Sequence, residues 1–218
     1  MIITLDIETR PTTDEAVIEE IGKSISAPGN MKKKETIDKW FEENYQTELE
    51  KAVKKTALDP LYGSVRMIGY AIDDYEPVVI TDASGEKEII WMFINEITST
   101  GKVPKIVGHN VQDFDIDFWW KRAIILGVNS PGFFSEYRKR YSPYVYDTMK
   151  EWAGYGKYVK LDTLAKALLG EGKSGSGEDS LSMTDEECAK YCAQDVELAR
   201  KIYKRMIFLT KEHPVYHT

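Results

Sequence analysis

The chain has 218 residues, 42% of them hydrophobic and 30% charged, with a formal net charge of −7. That length suits one domain with a substantial core, and that composition suits a soluble globular protein. The acidic balance excludes a broad non-specific grip on long duplex nucleic acid, which many Lys and Arg would have to supply, but leaves a short nucleic-acid end open. No apolar run reaches the roughly 20 residues that cross a membrane. No leader or lipidation pattern is evident, so the expected location is cytoplasmic. Cys188 and Cys192 lie four apart in a helical pattern. Their Cβ atoms should stand about 5–6 Å apart, too far for a disulfide, so both are expected as buried thiols in a reducing compartment.

In chain order, Met1 to Thr9 is a run of apolar and β-branched residues broken by Asp6 and Glu8. It reads as a buried strand, and residues two apart on a strand share a face. The two carboxylates should therefore project together, where they repel unless protonated or bridged by a cation. The same spacing recurs at Asp195 and Glu197, so alone it reads first as a strand end dipping into solvent. Residues 10 to 60 form a charged interlude with two helical patterns, Asp14 to Ile25 and Glu35 to Ala57, separated by Ala27-Pro28-Gly29-Asn30. Lys32-Lys33-Lys34 before the second helix is either solvated surface or a phosphate contact. Val65 to Asp73 and Pro77 to Thr81 read as two antiparallel strands around a short turn.

Glu86 to Thr100 places Ile89, Ile90, Phe93, Ile94 and Ile97 on one helical face. Lys105 to Gly108 is a short buried strand, and the crossover helix before it predicts a parallel neighbour. Phe114 to Leu126 is an aromatic-rich helix. Tyr144 to Asp147 suggests a strand end, with Asp147 a structural or supporting acid. Residues 133 to 160 hold six of the thirteen tyrosines and a local excess of Lys and Arg. Such interleaving suits single-stranded nucleic acid, by base stacking and phosphate attraction, although tyrosine-rich loops also pack cores. Leu161 to Leu169 is a helix stopped by Gly170, followed by a Gly- and Ser-rich loop around Lys173. Thr184 to Glu187 is a capping box, with Met183 and Cys188 as its hydrophobic staple, opening a helix to about Leu209. Tyr191 and Asp195, one turn apart on that helix, border its apolar stripe.

Three stretches belong together. Asp6-Ile7-Glu8, Asn110-Val111-Gln112-Asp113-Phe114-Asp115 and Tyr191-Cys192-Ala193-Gln194-Asp195 resemble, in order, the three motifs of the DEDDy 3′–5′ exonucleases of the ribonuclease H-like superfamily. The proofreading exonuclease domain of family B DNA polymerases is the most similar kind. In the related histidine subclass a His stands five residues before the final Asp. Lys190 occupies that place here, so the tyrosine form fits. The likeness covers nearly the whole chain except about 11–60.

The resemblance implies an α/β, ribonuclease H-like fold: a mixed five-stranded sheet, three antiparallel strands then parallel ones, flanked by helices. It implies a single exonuclease domain over residues 1–218 with a helical insertion at about 11–60. Asp6, Glu8, Asp115 and Asp195 would hold two divalent cations, Mg²⁺ or Mn²⁺, about 3.5–4 Å apart. Tyr191 would orient the attacking water. Asn110 and Phe114 would hold the terminal nucleotides, the backbone at Ile7 and Thr9 would lie against the terminal ribose, and Lys173 would reach the phosphate. His109 is expected to be a hydrogen-bonded loop residue, because hard cations prefer oxygen. The implied reaction is hydrolysis of single-stranded nucleic acid from the 3′ end to 5′-mononucleotides, DNA favoured over RNA. The alternatives are an exoribonuclease or short-oligonucleotide hydrolase on the same site, and an inactive nucleic-acid-binding module.

Overall fold

A computed structural model describes residues 1–81, 84–99, 101–172 and 179–211. Lys173 lies outside these, so its expected phosphate contact is not addressed below. The chain forms two compact units, Thr9–Ser64 and the remainder, Met1–Glu8 with Val65–Thr218.

The larger unit is built on a five-stranded sheet. Its strands are β1 (Ile2–Arg10), β2 (Ser64–Ile72), β3 (Val78–Thr81), β4 (Lys105–Gly108) and β5 (Val145–Asp147), in the order β3-β2-β1-β4-β5. β2 and β3 are antiparallel, pairing Met67 with Thr81 and Tyr70 with Val78. The end of β2 lies against the start of β1, where the Asp73 N–H donates to the Ile2 carbonyl at 2.8 Å. β4 runs parallel to β1, pairing Ile3 with Ile106, and β5 parallel to β4. The mixed sheet expected from the sequence is therefore present, and the C-terminal ends of β1, β4 and β5 share one end of it.

Alternation sorts β1 between two layers. Ile3, Leu5 and Ile7 enter the main core, with Ile89, Ile90 and Phe93 of α3 (Glu86–Thr98) and Ile116, Phe118 and Trp119 of α4 (Asp115–Ile125). Phe134 and Tyr137 of the short α5 (Phe134–Tyr137) complete that layer. The Trp119 ring meets Phe134 edge to face at 4.7 Å and Phe93 at 5.8 Å. The other layer holds α6 (Thr148–Ala153), α7 (Leu161–Leu169) and α8 (Asp185–Lys211). Leu161, Leu164 and Ala165 of α7 pack on Leu198 and Ile202 of α8. Met67 of β2 packs on Cys188 and Cys192, which are buried and not joined in a disulfide.

Two devices seat α8. Its capping box forms as read, with Thr184 N–H donating to Glu187 Oε2 at 2.9 Å and Glu187 N–H to Thr184 Oγ1 at 3.3 Å. Arg66 of β2, nearly buried, donates to the Ser180 carbonyl at 2.6 Å, the Met183 carbonyl at 2.7 Å and Asp185 Oδ1 at 2.9 Å. One guanidinium thus ties the entry of α8 to the sheet.

In the smaller unit, α1 (Glu15–Ser24) is capped by Asp14, whose carboxylate accepts from the Ala16 N–H at 2.9 Å. It packs on α2 (Lys34–Lys55) at Gly22, where a Cβ would sit 2.5 Å from the Tyr45 hydroxyl. Although α2 is periodic in sequence, it buries no residue completely. The pattern named a face, but one ten-residue helix is too short to cover it.

Candidate active site

The end of β1 and the middle of α8 make the site. Asp6 and Glu8 sit two apart on β1, on the face opposite Ile7, and α8 lies across that face. One carboxylate oxygen from each of Asp6, Glu8 and Asp195 falls within 4.8 Å of the other two. Glu8 and Asp195 are buried and Asp6 is half-buried. Three carboxylates this close, with little water to screen them, repel unless a proton or a cation intervenes. An all-oxygen donor set fits a hard divalent cation such as Mg²⁺ or Mn²⁺.

Asp115 comes from a third element, the first turn of α4. The β1–β4 ladder pairs only Ile2 to Thr4 with Lys105 to Val107. Beyond it the chain turns away after Gly108, and Asp115 Oδ1 accepts the Ile7 N–H at 2.8 Å. Burial pushes the Asp115 carboxyl well above the usual carboxylate range, the Ile7 N–H opposes that, and the nearby charges of Asp147 and Glu8 add to the rise. Asp115 is thus Glu8's neighbour, outside the tight set of three. Gly108 permits the close approach of β4 to β1, since a Cβ there would meet the Leu5 carbonyl oxygen at 2.7 Å.

The loop between β4 and α4 is held by Asp147, as the sequence suggested for a supporting acid. Its carboxylate accepts from Asn110 N–H at 3.0 Å and Gln112 N–H at 3.1 Å, while capping α6 through Met149 N–H at 3.0 Å. Asn110 has φ +61°, a left-handed conformation that asparagine tolerates. Gln112 donates to the carbonyls of Tyr137 and Lys139, and the buried Lys150 ammonium donates to Gln112 Oε1 at 2.9 Å and to Asp113. His109 is a loop residue as expected, with Nε2 at 2.7 Å from the Val159 carbonyl oxygen and Nδ1 at 3.0 Å from Thr148 Oγ1.

The other sequence candidates fall as follows. Tyr191 is buried on α8 one turn before Asp195. Phe114 is partly buried at the edge of the core, its ring 5.6 Å from Phe118. Ile7 and Thr9 are buried on β1. Asp113 and Asp117, which flank Asp115 and are not candidates on the sequence, pair with cations, Asp113 with Lys150 and Asp117 with Lys121 and Arg138. Sequence reasoning missed Cys192, whose sulfur lies 3.6 Å from Asp6 Oδ2 and 3.7 Å from the Asp6 carbonyl oxygen. Burial first, then the field of Asp6, Glu8 and Asp195, pushes this thiol well above its ordinary range, so it stays protonated and can donate. Its place between Tyr191 and Asp195 on the apolar stripe was the available signal.

The strand order, the two helical layers and the acids at one end of the sheet define a ribonuclease H-like domain of the polymerase-exonuclease kind. A solved structure agrees: the family B DNA polymerase from the hyperthermophilic archaeon Pyrobaculum calidifontis matches with a TM-score of 0.57 at 15% identity. The match covers 94% of this chain and 24% of that one, so the chain spans about a quarter of the polymerase. No curated protein matches in sequence. The family model described as "Predicted 3'-5' exonuclease related to the exonuclease domain of PolB" matches residues 78–213. That is more than half of the chain, which belongs to this family.

Proposed function

We propose that the protein is a divalent-metal-dependent 3′–5′ exonuclease that shortens single-stranded DNA and releases 5′-mononucleotides. The observation that supports it best is the convergence of Asp6, Glu8 and Asp195 to within 4.8 Å of one another, from β1 and α8, although Asp195 follows Glu8 by 187 residues in sequence. In this reading Asp6, Glu8, Asp115 and Asp195 are the ligands of two cations, Mg²⁺ or Mn²⁺. When bound, the cations would lower the pKa of the attacking water and offset the charge developing on the scissile phosphate and the leaving 3′ oxygen.

The remaining work falls to this chain's own groups. The Tyr191 hydroxyl orients the water in line with the phosphorus–oxygen bond that breaks. Phe114 stacks on a terminal base and Asn110 hydrogen-bonds the terminal nucleotides. The backbone of Ile7 and Thr9 packs against the terminal ribose. Cys192 donates to Asp6 and so restricts the rotation of its carboxylate. The two helices between β1 and β2 elaborate one exonuclease domain.

The test is a 5′-labelled single-stranded DNA incubated with Mg²⁺ or Mn²⁺ and resolved by length. A ladder shortening from the 3′ end, absent with chelator and in Asp6→Asn and Asp195→Asn, is expected. No shortening with either metal, or full activity in Asp6→Asn, rejects the proposal. A matched RNA run beside it separates the DNA reading from the exoribonuclease one.

A further inference from the structure

Away from the three carboxylates, a cavity of about 200 Å³ opens beside β5, lined among others by Arg140, Tyr141, Ser142, Lys150, Glu151 and Tyr155. The Tyr141 and Tyr155 rings meet edge to face with centres 5.3 Å apart. The Arg140 guanidinium lies 5.4 Å from the first ring and 4.9 Å from the second, and the Lys150 ammonium 5.4 Å from Tyr155. The Tyr155 hydroxyl donates to the Arg140 carbonyl and ties the two loops that form the walls. Yet Tyr141 is 74% exposed and Tyr155 40%. Rings so open contribute little to a core and keep much of their surface in contact with solvent.

The charges narrow what fits. Arg140 and Lys150 are opposed by Asp147 and Glu151 around the same cavity, so a free phosphate gains no net attraction there. The lining combines the donor groups of Arg140, Lys150 and Ser142 with the acceptor of Glu151 and two aromatic rings. A planar group with donors and acceptors on its edge matches that lining, as a nucleobase does, by stacking and cation–π contact. The volume lies below the roughly 300–1,000 Å³ of pockets for drug-sized ligands, which suits one ring system.

The cavity shares two lining residues with the scaffold of the candidate site. Gln112 and Asp147 line the cavity and also fix the loop that presents Asn110, Phe114 and Asp115. Trp152 and Tyr158, in the same stretch of chain, are exposed too.

We propose that this cavity is a nucleobase subsite that holds an internal, unpaired base of a single-stranded oligonucleotide whose 3′ end lies at the carboxylates. The identity of the polymer rests on the exonuclease reading; the base-binding chemistry does not. The test is therefore read in EDTA, where binding is measured without hydrolysis. Fluorescence anisotropy compares a labelled oligothymidylate with a base-free sugar–phosphate oligomer of equal length. Tyr141→Ala and Tyr155→Leu should each weaken oligothymidylate binding by about fivefold to a hundredfold, while the base-free oligomer changes by less than about twofold. Tyr155→Phe, which keeps the ring and loses the hydroxyl tie, should bind like the parent protein.

Equal losses on both oligomers would mean a backbone contact and overturn the proposal. So would no loss on either, or Tyr155→Phe losing as much as Tyr155→Leu. Base-dependent binding through these tyrosines in a protein that never hydrolyses DNA keeps the subsite and removes the exonuclease reading. Normal hydrolysis with binding untouched by the variants does the reverse.

Discussion

Gly69→Ala should damage both stability and activity, because Gly69 is where β2 lets α8 approach the sheet. A Cβ at position 69 would sit 2.5 Å from Cys192 Sγ and 3.1 Å from Val196 Cγ2. Uncrowded contacts lie near 3.5–4.0 Å, so the shortfall at the sulfur is about 1 Å or more. Cys192 is fully buried and its sulfur also touches Asp6 Oδ2 at 3.6 Å, so it has little room to swing aside. The helix must move instead. Overpacking of this kind costs about 1–3 kcal/mol. Alanine's smaller backbone entropy loss in a strand returns roughly 0.5–1 kcal/mol. Mid-range values leave a net cost of about 1.25 kcal/mol, which in a chain of this size lowers Tm by about 3–5 °C. The same displacement shifts Asp195 against Asp6 and Glu8, and about 1 Å of misplacement can cost on the order of 10²-fold in rate. Cys192→Ala removes the clashing atom. The double variant should therefore recover much of the loss relative to Cys192→Ala alone, a coupling of about 1–2 kcal/mol. Thermal unfolding and single-stranded DNA hydrolysis read the two arms. Gly69→Ala melting and cleaving like the parent protein would refute the reasoning, as would strict additivity in the double variant.

Other outcomes follow from single contacts. Asp147→Ala strands the N–H groups of Asn110 and Gln112 and uncaps α6, so urea unfolding should show a loss of about 3–4 kcal/mol; a loss under 1 kcal/mol would contradict the holding role. Arg66→Met should speed amide hydrogen exchange in the first turns of α8 far more than in α3, with a global loss of about 2–4 kcal/mol. Burial, then Glu151 and Tyr203, pushes the Tyr146 phenol from 10.0 up to about 12. Because the folded value is the higher one, its stabilising contribution is complete below pH 10 and fades as pH climbs toward 12. Tyr146→Phe should flatten that alkaline limb, and an unchanged limb would assign the effect elsewhere. Saturating Mn²⁺ should raise the Tm of the parent protein. Asp6→Asn should lose that rise while melting no lower in EDTA, since it relieves repulsion among three carboxylates.

What the sequence disclosed depended on whether local geometry alone fixed the outcome. Asp6 with Glu8, and Tyr191 with Asp195, are placed by the strand and helix periods, so their spacing could be read directly. The capping box at Thr184 is equally local and formed as expected. Asp147 was legible as a supporting acid but not as the clamp of the 110–112 loop, because that role depends on β5 lying beside β4, and β5 is only three residues long. The short helices α5 and α6 escaped notice within a tyrosine-rich stretch, since runs of four and six residues are too brief to show a period. Arg66 gave no sign of its partners, which lie more than 110 residues away. The cationic and aromatic character of residues 133–160 was plain. Only the fold divided it between the core residues Phe134 and Tyr137 and the exposed walls of the β5 cavity.

The central claim is that Asp6, Glu8 and Asp195 together hold a divalent cation for phosphodiester hydrolysis. Crystals of the protein soaked in Mn²⁺ and measured at the manganese absorption edge test it most directly. The account predicts an anomalous peak within about 2.0–2.6 Å of carboxylate oxygens from all three residues, the range of hard-cation bonds to oxygen. A peak confined to surface acids, or none at saturating Mn²⁺, would contradict it.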